Sequence, residues 1–163
     1  MSRGQSWLLK GGLVLIMGGL LFGLVYGWCV EHGTLLVLKD SYGTAVRAAA
    51  DGNAEEMKAG LATGSEANYK LVRAVDVHTH FIKMGTVLLL AGLLWPLVGD
   101  GKALTIAGAM IGGAVIFPFG VFLEIYTHSL IGQGVAALGA GLAILSFAGI
   151  CWKLLFPGPQ PTK

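Results

Sequence analysis

Charge is scarce in this sequence. Asp, Glu, Lys and Arg make up 12% of its 163 residues, where a soluble domain carries roughly a quarter. That scarcity excludes an ordinary water-soluble globule. A net charge of only +2, scattered along the chain, gives no basic surface for nucleic acid. Cysteine is as sparse: Cys29 and Cys151 are the only two. No C-x-x-C-H segment occurs, so nothing supports a covalently attached c-type haem. On the topology below, the two thiols fall on opposite sides of a membrane, which argues against a bridge within one chain and reads each as a small buried hydrophobe. Phosphate-binding loops, G-x-S-x-G, H-E-x-x-H and dinucleotide fingerprints are all missing. No internal repeat stands out.

What the chain has instead is apolar length. Hydrophobic residues form 55% of it, and mean hydropathy is +0.72. Four runs, about 11–30, 77–98, 103–127 and 130–156, each supply the roughly 20 residues that a helix needs to cross a bilayer. The first follows Arg3 and Lys10, but it is long for a signal sequence and no A-x-A site follows, so it reads as a spanning helix. Trp95 marks the far boundary of the second run, and Gly99–Lys102 closes a tight hairpin. Pro118 bends the third, and Pro157-Gly158-Pro159 stops the fourth. Many of the 26 glycines lie inside these runs. Gly19-x-x-x-Gly23-x-x-x-Gly27, Gly108-x-x-x-Gly112 and the set Gly134, Ala137, Gly141 predict close helix packing; the first also offers room for a flat cofactor.

The polar stretch 33–75 is too short for a core of its own. Leu35, Leu38, Tyr42, Ala45, Val46 and Ala49 recur at helical spacing, and Asp51-Gly52-Asn53 ends that pattern. A short helix over 54–62, a turn at Thr63–Glu66 and a helix entering the second span follow. The expected fold is an all-α integral membrane protein, a four-helix up-down bundle with a helical cap over one end. Lys and Arg at the N-terminus, at Lys102 and at Lys153 and Lys163 place both termini in the cytoplasm of a cell with an inner (plasma) membrane. The cap then lies outside.

Helix counting puts all four histidines in one layer: His32 ends the first span, His78 and His80 open the second, and His128 ends the third. Glu31, Asp76, Lys83 and Glu124 share that layer. Ionisable groups at the edge of a spanning segment are costly and point to function. His78 and His80, two residues apart, project about 200° apart and must serve different neighbours. Glu124 lies a turn inside the apolar limit and needs a partner: Lys83, a ligand, or a metal-bound histidine. Three readings compete: b-type haem held by a His pair, with His80 and either His32 or His128 foremost; a Cu, Zn or Fe ion on His32, His78, His80, His128 and Glu124; or histidines that only hydrogen-bond in a packing subunit.

Val77-His78-Thr79-His80-Phe81-Ile82-Lys83-Met84-Gly85 resembles the H-x-H-x-x-x-x-G helix start of small membrane proteins related to the haem–copper oxidase and nitric oxide reductase catalytic subunit. The likeness covers about nine residues, and four spans stand where that family has twelve. It implies haem, on His80 or His78, more than it implies oxygen chemistry. The expectation is a membrane cytochrome b subunit of a respiratory complex, passing electrons from a quinol pool, with Arg73 and Lys83 offering charge to propionates or to a quinone. The alternative is a non-catalytic or metal-binding accessory subunit or assembly factor of a larger membrane complex. Glycine-rich faces would meet other subunits or a second copy.

Overall fold

A computed structural model describes residues 1–98, 103–127 and 130–156 of the protein. The described residues are helical almost throughout and contain no strand. Helix α1 (Arg3–Tyr26) runs through a π turn (Gly27–Glu31) into α2 (His32–Ala50) without a break. Helix α3 (Ala54–Leu94) ends in a 3₁₀ turn (Trp95–Leu97), followed by α4 (Ala103–Thr127) and α5 (Leu130–Leu155). Four of these helical units are long and apolar enough to cross a membrane. The loop 99–102, residues 128–129 and the tail 157–163 lie outside the described residues.

The stretch 33–75 is a prolongation of two long helices rather than a cap of short ones. The first rod, 48 residues from Arg3 to Ala50, is about 72 Å long at 1.5 Å per residue. Ser2 starts it, its hydroxyl accepting from the Gln5 amide at 3.3 Å. It ends as predicted at 51–53. There Gly52 takes φ +72°, and the amides of Gly52 and Asn53 return to the carbonyls of Ala49 (3.2 Å) and Ala48 (2.8 Å). This is a left-handed helix stop, which favours glycine. Asn53 then caps α3 by accepting from the Glu56 amide at 3.2 Å, while its own amide donates to the Glu56 carboxylate at 2.9 Å.

The turn predicted at 63–66 does not form; α3 is continuous there. Thr63 donates its hydroxyl to the Ala59 carbonyl at 3.0 Å, a bond available inside a helix. Gly64 serves packing instead of a turn: a β-carbon there would stand 2.7 Å from the Tyr42 ring.

Paired contacts between α1–α2 and α3 run in opposite senses along the two rods: Gly4 on Trp95, Gly12 on Gly85, Gly19 on Ile82, Gly23 on His78 and Gly64 on Tyr42. A β-carbon at Gly12 would come within 2.7 Å of the Gly85 carbonyl oxygen, so backbone lies on backbone here. Gly27, in the π turn, has no such contact outside its own turn.

Two other predicted packing faces are replaced by neighbouring ones. On α5 the buried stripe is Gly132, Ala136, Gly139, Ala143, Ser146 and Ile150. Gly134 and Gly141 face open space and Ala137 is exposed. On α4, Gly108 is open, whereas Gly113 meets Gly139 and Ala143, and Gly120 meets Ala136. Trp95 is not a boundary residue of the kind expected but core, 2% exposed and stacked over Gly4, with its indole N–H unpartnered. Nor are the cysteines both buried: Cys29 is exposed and Cys151 partly so, and both are free thiols.

The core divides in two. One cluster joins Leu8 and Leu15 of α1, Leu88 and Trp95 from the α3 side, Met110 of α4 and Ile150 of α5. A smaller one joins Ala74, Val77, Val121, Ile125 and Ala136. The second cluster underlies the polar groups.

Candidate functional site

Glu124 is the buried acid, its side chain 8% exposed. Packing places it: Gly132 of α5 lies against its backbone, where a β-carbon would come within 2.8 Å of the Glu124 nitrogen. Three donors converge on its Oε1: Arg73 Nη2 at 3.0 Å, the Tyr69 hydroxyl at 3.2 Å and Gln133 Nε2 at 3.3 Å. Arg73 also reaches Asp76 Oδ2 through Nη1 at 3.3 Å, and its guanidinium lies 5.5 Å from the centre of the Tyr69 ring. Three helices, α3, α4 and α5, are thereby tied at one carboxylate. A buried charge needs such compensation.

Arg73 is held above its ordinary pKa by its hydrogen bond with Tyr69, against a smaller opposing effect of burial; the charges of Glu124, Tyr69 and Asp76 add to the rise. For a raised base the gain in stability is present at every pH below the ordinary arginine value. It fades only as pH climbs through the raised one, so the cation persists throughout the working range.

Lys83, predicted as a partner for Glu124, is exposed. The partner is Arg73, which shares one face of α3 with Tyr69 at i, i+4 spacing. Tyr69 and Gln133 escaped sequence reasoning; the i, i+4 relation was the available signal for Tyr69, and for Gln133 only its place in the first turn of α5.

The histidines diverge as their spacing predicts. His78 faces α1: its Nδ1 lies 2.7 Å from the Gly19 carbonyl oxygen, and its ring fills the space left by Gly23. A carbonyl only accepts, so Nδ1 carries a proton, and Nε2 is the ring nitrogen that a metal could take. A cavity of about 210 Å³ adjoins, lined among others by Phe22, Tyr26, Glu31, Ala74 and His78. His80 faces α4, its ring 4.5 Å from that of Phe117 at 57°. His32, the first residue of α2, is exposed. His128 lies outside the described residues. Among the described residues no two imidazoles are in ring contact, and no three His, Cys, Asp or Glu side chains gather closely enough to hold a metal ion.

These residues fit a haem only in part. One imidazole is oriented as a ligand would be, with Nδ1 fixed by a carbonyl, beside a small cavity that Glu31 also lines. A second described imidazole is not set against it. No protein-family model, no curated protein and no solved structure matches this chain.

Proposed function

We propose that the chain crosses the inner (plasma) membrane four times, up-down-up-down, with both termini cytoplasmic and the α2–α3 hairpin projecting outside. Four apolar helices and antiparallel contacts between successive rods support this. Within it, the chain is a b-type haem-binding electron-transfer subunit, with His78 as the oriented ligand. The carrying observation is the 2.7 Å bond from His78 Nδ1 to the Gly19 carbonyl, which presents Nε2. A second imidazole would come from His32 or His128. Bound haem supplies one-electron chemistry. Arg73, bonded to Glu124 and Asp76, ties the helices here and keeps further N–H donors for a propionate.

Absorption spectra of the protein from cells fed a haem precursor test this. His78→Ala is expected to abolish a Soret band that His80→Ala leaves in place. A wild-type protein without a Soret band sinks the haem reading.

A second reading is favoured by a separate observation. Leu35, Leu36, Val37 and Val46 are exposed on α2, in the part that projects beyond the bundle, and the Glu124 network closes on partners within the chain. Both suit a non-catalytic accessory subunit of a larger membrane complex. Purification only with companion proteins, without haem or metal, would select it.

A further inference from the structure

A second cavity, about 300 Å³, opens between α1, α3 and α4 and shares Phe22, Tyr26 and Ala74 with the one that His78 lines. That volume lies at the small end of ligand pockets. Its walls are aromatic in a particular way. The Phe22 and Tyr26 rings lie within 10° of parallel with centres 6.2 Å apart, and Phe122 meets Phe22 edge-on at 6.1 Å and 85°. These rings, packed on one another, give the cavity an aromatic wall against which a flat ring can lie by the offset and edge-on contacts that aromatic groups prefer.

The rim is polar. Thr34 and Lys70 line it; the Thr34 hydroxyl donates to the Val30 carbonyl at 3.1 Å. Lys70 bonds Glu66 at 3.1 Å, and an ammonium has three donors, so Lys70 can still donate to an acceptor in the cavity. The π turn at Gly27–Glu31 carries Val30 into the lining, and such turns recur at functional sites. Val25, half-exposed, is also in the lining, so the cavity reaches the outer surface there, which on the four-span reading faces the bilayer.

We propose that this cavity binds the carbonyl-bearing ring of an isoprenoid quinone. The ring packs on Phe22 and Tyr26, a ring carbonyl accepts from Lys70, and the apolar tail leaves past Val25 into the lipid. Access from lipid rests on the four-span reading; binding does not depend on haem. Extraction of the protein from membranes by alkaline carbonate would expose a failure of the four-span reading separately.

The test is equilibrium titration of the full chain, in phosphatidylcholine nanodiscs, with decylubiquinone, followed by tryptophan fluorescence quenching. Saturable binding is expected. Val25→Phe, which fills the mouth from its exposed side, raises Kd about tenfold or more; Lys70→Met raises it about tenfold and Lys70→Arg restores it to within about threefold. Unchanged melting of each variant shows that the bundle is intact, and should Val25→Phe not fold, the two Lys70 variants decide. Quenching that never saturates, or that ignores both positions, overturns the proposal. So does displacement of decylubiquinone by phosphatidylglycerol at equal lipid fraction, which would assign the cavity to an acyl chain.

Discussion

The two ends of the bundle are built differently. At the end near Leu8, Leu88, Trp95, Met110 and Ile150, large side chains from all four long units interlock, and among the described residues the buried Trp95 N–H is left without a partner. At the end near Ala74, Val77 and Val121 the buried residues are smaller. Two cavities flank them, and a buried carboxylate with three donors ties the helices. Large buried apolar side chains gather at the first end, and cavities and polar contacts at the second. A site needs space and polar groups, and both reduce the apolar area that a core can bury.

Substitutions can break or sharpen that contrast. The largest effect is expected at the seam that both ends share: Gly120→Leu drives a side chain into the Ala136 backbone and separates α4 from α5. Loss of folded, monodisperse protein is expected on size-exclusion chromatography, and a normal elution profile would contradict the α4–α5 contact. Next comes Leu88→Ala at the dry end, fully buried, which should cost about 2–5 kcal/mol in denaturant titration in mixed micelles. At the polar end, Arg73→Met should cost about 1–3 kcal/mol, towards the lower figure because the Arg73 side chain is a third exposed. Adding Glu124→Gln should recover part of that loss, since the uncompensated charge goes with it. Strictly additive losses would mean that the two side chains do not interact. The smallest effect is at the hairpin tip, where Lys58 and Glu55 pair at 3.3 Å with both side chains well exposed. Lys58→Ala should leave the melting temperature where it was. Should Leu88→Ala prove milder than Arg73→Met, the expectation that the dry end holds the fold more firmly fails.

Much of this was legible in the residues. Apolar length announced the four helices, Asp51-Gly52-Asn53 announced the hairpin tip, and i, i+2 spacing sent His78 and His80 to different helices. Three features were not legible, each for a physical reason. Gly134 and Gly141 have the same spacing as Gly132 and Gly139, and a two-residue offset turns one stripe about 200° from the other. Only the position of α4 decides between them. Arg73 and Lys83 flank the histidines on the same helix at similar distances, and rotation about α3 selects Arg73 for Glu124. Gly33 and Thr63-Gly64-Ser65 look locally like helix breakers, yet the helices continue through them; at Gly64 the missing side chain is what admits Tyr42.

The uninterrupted rod from Arg3 to Ala50 also has a mechanical meaning. Its five-residue π turn sits where the rod leaves the bundle, between the ring pair Phe22–Tyr26 and some 20 residues of α2. Those residues make a lever arm of about 30 Å. A tilt of about 10° at the turn would sweep the Gly52 tip through about 5 Å, while shortening the turn by one residue would spin the whole arm by about 100° about its axis. Because Gly60 and Gly64 of α3 hold Ser41, Ala45 and Tyr42 of α2, such a tilt would have to carry the first third of α3 with it.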